Sequence, residues 1–192
     1  MIEAFFSKYF DKPTGEAIQP KLEIKHPVIK EVYKKYGICT SRDGFYRVID
    51  PEEWQEHYMP WFFQMRDEDG VFTGPELYPF LTTAFGWAYI FINEPGEDIV
   101  GYLDIFNNSH VSSDSQYFFD EVVLDPIYCK FSLNSDIYEE LLPIKPPLTP
   151  DECFGFFPLI SMGGDPVIEN VQRVKLREHL YFLAQVSGLP EE

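Results

Sequence analysis

The sequence is poor in the residues on which most catalytic and metal chemistry depends. Its 192 residues include only four histidines, His26, His57, His110 and His179. No two of them stand two, three or four positions apart, and none sits beside a cysteine at zinc-like spacing. The three cysteines, Cys39, Cys129 and Cys153, are odd in number and lack CxxC spacing. They read as reduced thiols in a cytosolic protein. GxSxG, P-loop, GxGxxG and HExxH patterns are all missing. Met162-Gly163-Gly164-Asp165 is glycine-rich, but it has no nearby Lys and carries an Asp where an anion would sit. It therefore reads as a turn. The acid pairs Asp120-Glu121 and Glu139-Glu140 are adjacent in sequence, and adjacent residues on a helix point apart, so they read as solvated faces. No catalytic residue, metal or cofactor is expected. Long apolar runs are lacking too, and no stretch reaches the roughly 20 residues needed to span a bilayer. The opening MIEAFFSKYF has neither a basic region before its apolar residues nor a small-residue cleavage site, so a cytoplasmic location is expected.

Positive charge is scarce over most of the chain. Residues 71–170 carry only Lys130 and Lys145 against sixteen Asp and Glu, a net of −14 out of −17 for the whole chain. The first seventy residues hold ten Lys and Arg against thirteen acids, a net of −3. A field of this sign repels phosphate, which argues against direct nucleic-acid or anionic-membrane binding and favours a basic partner.

Aromatic residues are abundant, with 18 Phe, 12 Tyr and 3 Trp, so the chain can build a core without disulfides or metal. The run Leu81–Ile92, LTTAFGWAYIFI, has no Pro and no charge and reads as a central strand covered on both faces. Gly86 within it suggests a bulge or a close backbone approach, and strand alternation would put Phe85 and Trp87 on opposite faces. Ile99–Phe106 follows a turn signal and reads as its antiparallel neighbour. Strands are also expected over Phe45–Ile49 and Phe154–Met162. The fold class expected is α+β, a small mixed or antiparallel sheet of these four strands with helices packed against it.

Helices are expected over Phe5–Phe10, after the His26-Pro27 start, after Asp50-Pro51, over Gln116–Leu124, over Asn134–Leu142 and over Val171–Val186. Asp50/Glu53 and Thr149/Glu152 both have capping-box spacing with Pro at the first helical position. Trp54, Tyr58, Trp61 and Phe62 form one helical stripe, which reads as buried, and Pro60 must break that helix. Asn107–Ser115 reads as a polar loop. Arg66–Gly70 is the best boundary between residues 1–70 and 71–192, two regions expected to share one core.

The segment YKKYGICTSRDGFYRVIDPEEWQEHYMPWF resembles a GAD-like N-terminal domain. FLTTAFGWAYIFI, with the later DECFGFFPLISMGGDPVIENVQRVKLREHLYFLAQVSG, resembles the C-terminal domain of type VI secretion immunity proteins that neutralise a DNase toxin. The strongest signals are Thr83-Ala84-Phe85-Gly86, the Gly163-Gly164 turn and the closing helix with Glu178, His179 and Leu180. Trp87 departs from the pattern, which favours a polar residue there. The resemblance implies a non-enzymatic bacterial protein that binds and blocks a cognate toxin. Two other readings stand beside it: a non-catalytic adaptor of a secretion system, and a carboxylate-dependent enzyme. The candidate partner-binding residues are Asp114, Tyr117, Asp120 and Glu121, where acids flank the aromatic trio Tyr117, Phe118 and Phe119. The bland reading of that trio is that it packs inward.

Overall fold

The computed structural model describes residues 2–69, 71–94 and 96–189, with the side chains of residues 63 and 64 outside the description. Helices α1 (Glu3–Tyr9) and α2 (Pro27–Lys35) precede strand β1 (Tyr46–Val48) and helix α3 (Pro51–Tyr58). Strands β2 (Glu76–Thr83), β3 (Ala88–Asn93), β4 (Ile99–Asp104) and β5 (Ser109–Asp114) follow. Then come α4 (Ser115–Tyr117), α5 (Pro126–Leu133) and α6 (Ser135–Leu141), the strands β6 (Glu152–Phe156) and β7 (Val171–Lys175), and α7 (Leu176–Val186). Strands β1 to β5 form an antiparallel sheet in sequence order, and β6 pairs with β7 separately. The fold is α+β, as expected, but the Phe154 strand lies outside the main sheet and stops at Phe156 instead of running to Met162, since Ile160–Met162 forms a 3-10 turn.

The apolar run at residues 81–92 is not one strand. β2 ends at Thr83 and β3 starts at Ala88, with a tight turn between them. The Thr83 N–H donates to the Trp87 carbonyl at 2.9 Å, and the Gly86 N–H donates to the Thr83 carbonyl at 3.0 Å. Gly86 has φ +84°, and a Cβ there would lie 3.0 Å from Leu176 Cδ1. The close approach expected at Gly86 is present, but as a turn. Turns are normally polar and exposed. This one is buried because β6 and α7 close over it: the Phe154 N–H donates to the Ala84 carbonyl at 2.8 Å. Phe85 and Trp87 therefore do not alternate. Their ring centroids lie 5.7 Å apart in one cluster with Phe106 and Phe156.

Three further boundaries differ from expectation. Asn107–Ser115 is mostly strand β5, paired to β4 from Ile99↔Asp114 to Asp104↔Ser109, because the sheet supplies partners that its polar sequence does not advertise. The Thr149–Glu152 box starts no helix. The Glu152 carboxylate does accept the Thr149 N–H at 2.9 Å, but Glu152 then enters β6. The closing helix is shorter than expected, since Val171–Lys175 pairs with β6 before α7 begins.

The sheet separates two apolar layers. On one side, Phe5 of α1 meets Tyr46 at 5.0 Å and Phe119 at 5.6 Å, and Phe80 meets Phe91 at 4.7 Å. On the other, the Tyr58 hydroxyl of α3 lies 3.1 Å from Thr82 Oγ1 and donates to the Gly86 carbonyl at 3.0 Å. Pro79 sits inside β2, where the missing N–H would break a ladder. A register irregularity between Pro79 and Leu81 accommodates it.

Asp50 opens α3 as expected. Its carboxylate accepts the Glu52 N–H and, from a distant segment, the Lys21 N–H, both at 3.1 Å. Glu53 does not close the box and instead meets Arg177 at 2.5 Å. Asp50→Ala should cost about 1–2 kcal/mol. Thr149→Ala, at an exposed site with no helix to cap, should stay within about 0.5 kcal/mol. Urea-denaturation midpoints of the two variants separate these outcomes.

Candidate partner-binding surface

The candidate residues lie where β5 gives way to helix. Asp114 ends β5, and its carboxylate accepts the Tyr117 N–H at 3.0 Å, which caps α4. The chain then widens into a π turn, Phe118–Val122. Phe118 and Phe119 turn inward, against Tyr89 at 5.3 Å and Phe91 at 6.2 Å respectively. Tyr117 stays 58% exposed. The aromatic trio thus splits, two rings in and one out. Tyr117, Asp120 and Glu121 line one open cleft of roughly 740 Å³ with Asp125 and Tyr128. Asp114 is not among its lining residues and serves as a helix cap instead.

Helix α5 forms the wall of this cleft. Asp125 caps it, accepting the Ile127 N–H at 2.8 Å, and Pro126 takes the first helical position. Asn134 ends it in the left-handed region, at φ 53°. Cys129 and Leu133 are buried. In PIYCKFSL only Lys130 and Ser132 are polar, so a helix with only one face against the core leaves apolar groups in water as well. Those groups are Ile127, 68% exposed, and Phe131, 74% exposed, one turn apart. Between them Lys130 lies 5.6 Å over the Phe131 ring and 3.6 Å from Asp136. Beyond Lys130 is a second cleft of roughly 510 Å³, lined by Lys8, Asp43, Asp136 and Glu139 among others. α5 is a ridge between two clefts. The sequence reading missed Ile127 and Phe131, although the scarcity of polar residues in this helix, Lys130 and Ser132 alone, was a signal for them.

The titratable groups elsewhere are spread through the fold. His26 packs against Phe91 at 4.6 Å, His110 lies on exposed β5 near the Phe62 ring at 5.5 Å, and His179 is buried beside Phe106 at 6.1 Å. Among the described residues, no group of three or more His, Cys, Asp or Glu is placed to hold a metal ion. Burial raises all three thiols, Cys39 to about 11 and Cys153 to about 12, so they are protonated at neutral pH.

Burial also lowers His179 to about 4, and lowers His26 against the opposing pull of Asp98. The folded state then binds fewer protons than the unfolded chain. The stability tied to His179 is whole above pH 6.5 and is lost as pH falls from there towards 4. The loss expected is about 3 kcal/mol. His179→Gln, which cannot titrate, should show a shallower decline between pH 6.5 and 4. Unfolding free energies at several pH values check this, and equal slopes would refute it.

Residues 113–187 match the sequence model of the family described as T6SS immunity protein Tdi1, C-terminal. The match begins at the end of β5 and takes in both clefts' α5 wall, all four candidate residues, the β6–β7 pair and α7. It covers less than half of the chain and does not reach Tyr33–Phe62, where the GAD-like resemblance lies. Comparison with characterised protein sequences returns no match. Among solved structures, the chain is similar to the crystal structure of Atu4351 from Agrobacterium tumefaciens, with a TM-score of 0.61 at 13% identity. The alignment covers 96% of this chain and 89% of that one, so the two share a fold over nearly their whole length. Among the described residues, no helix is long and apolar enough to cross a membrane.

Proposed function

We propose that this chain is a cytoplasmic immunity protein that binds a cognate toxin of a type VI secretion system and blocks it by protein–protein contact, without catalysis. The observation that carries this reading is the family match over residues 113–187. The charge supports it: the net of −14 over residues 71–170 suits a partner with a basic surface. A toxin that acts on nucleic acid needs such a surface for phosphate, and an acidic inhibitor can occupy it. The toxin is therefore proposed to be a nuclease. The first seventy residues are proposed to be a GAD-like region that works with the rest as one unit, since β1 pairs with β2 across the boundary.

The test is co-expression with the secreted protein encoded beside this chain's gene. Cells producing that toxin should survive only when this chain is present, and the two proteins should co-purify. Association should slow as salt rises, because steering between unlike charges is screened. Survival that depends on this chain without any physical complex would count against direct inhibition and favour the adaptor reading.

A further inference from the structure

We infer that the α5 ridge is the central anchor of the partner interface, and that the partner presents an apolar recess bordered by Lys or Arg. This rests on the toxin-binding reading above and gives that reading a place and a chemistry. Ile127 and Phe131 are two of the most exposed large apolar side chains described in the chain, and they stand one turn apart on one helix face. Singly exposed apolar residues need no explanation; a paired aliphatic and aromatic group between two clefts has the form of a binding anchor.

The surroundings specify the occupant. The larger cleft on the Tyr128 side is lined by Asp120, Glu121 and Asp125, with no Lys or Arg in its wall. The second cleft is mixed, and its Lys130 is already paired with Asp136. A recess with an acidic rim would be repelled from this ridge, whereas basic side chains reaching into the first cleft would be held by three carboxylates. A second copy of this chain, with its acidic surface, is disfavoured by the same charge argument. The backbone supports the arrangement, since Asp125 caps α5 and buried Cys129 and Leu133 seat it on the core. The ridge is therefore presented without reordering.

The experiment measures binding of the secreted protein encoded by the adjacent gene to four versions of the full chain: wild type, Ile127→Ala/Phe131→Ala, Glu121→Lys, and, as a control, Tyr181→Ala/Phe182→Ala on the exposed face of α7. Thermal melts of all four establish that they are folded. The α5 double variant should bind at least about 100-fold more weakly, mainly through faster dissociation. Glu121→Lys should slow association and flatten its salt dependence. The α7 control should stay within about threefold of wild type. An α5 variant that binds like wild type overturns the ridge assignment and leaves the immunity reading standing. Wild type that neither binds nor protects overturns both. A wild-type dimer dissolved by the α5 substitutions would assign the ridge to self-association and also overturn the proposal.

Discussion

Arg47→Ala is expected to lower the unfolding free energy by about 3–5 kcal/mol. Arg47 lies in β1 and is only 4% exposed. Its guanidinium donates to the carbonyls of Thr149, Pro150 and Glu152 at 3.1, 3.0 and 2.7 Å, and to the Thr83 carbonyl at 3.4 Å. The acceptors are backbone carbonyls on β2 and on the segment entering β6, so one side chain ties both sheets together. Burial pulls its pKa below the usual arginine range, but guanidinium basicity is high enough to keep it charged. Removing it takes a donor from all four carbonyls, although the Thr149 carbonyl keeps the Glu152 N–H and the Thr83 carbonyl keeps the Gly86 N–H. It also opens a cavity where a buried side chain joined the two sheets. Arg47→Met would fill much of the volume but satisfy no carbonyl, so it should remain well below wild type. Arg47→Lys, with three donors on a flexible stem, should fall between Met and wild type. Chemical denaturation of the three variants tests the ranking, and a Met variant as stable as wild type would show that the carbonyl cage contributes nothing net.

Phe85→Ala should cost about 3–5 kcal/mol as well, for a different reason. Phe85 is fully buried in the β2–β3 turn, stacked on Phe156 with centroids 5.3 Å apart and planes 3° from parallel. Trp87, Phe106 and Phe154 complete the cluster, with Phe154 at 6.2 Å from Phe85. The ring joins the main sheet to the β6–β7 pair. Truncation leaves a void between two layers that the turn backbone, pinned by Gly86 at φ +84°, is poorly placed to close. The expected result is a large drop in the thermal midpoint with an unchanged α/β content. A melt close to wild type would mean that the turn is less tightly packed than its burial indicates.

The local signals in this sequence were those whose physics is local. His26-Pro27 and Asp50-Pro51 mark helix starts because a β-region residue before a proline sets the backbone for the first turn, and α2 and α3 begin there. Gly37, in the left-handed region at φ +68°, follows the end of the first of these. Trp54 and Tyr58 on α3 are buried as their spacing predicts. Trp61 and Phe62 are buried too, but they lie in the kinked 3-10 segment Met59–Met65 that follows the helix. The apolar face of α7 follows from helical spacing. The α+β class and the acidic middle of the chain were likewise legible, and Asp120, Glu121 and Tyr117 do share a cleft.

What sequence could not settle was wherever burial comes from distant partners. A turn written as Ala-Phe-Gly-Trp is indistinguishable from strand interior until β6 and α7 are seen to cover it. Ser109–Asp114 has the composition of a loop and becomes a strand only because β4 offers its free edge. Thr149–Glu152 satisfies the capping-box spacing, yet pairing with β7 outweighs one local bond and draws Glu152 into a strand. The same reason hides the α5 ridge. A short helix whose only polar side chains are Lys130 and Ser132 can be read as largely buried. Only the packing of Cys129 and Leu133 against the core decides that Ile127 and Phe131 face outward. Composition determined that this chain folds around aromatics and carries a strongly acidic surface. Tertiary contact determined which of its apolar groups the core takes in and which it leaves in water.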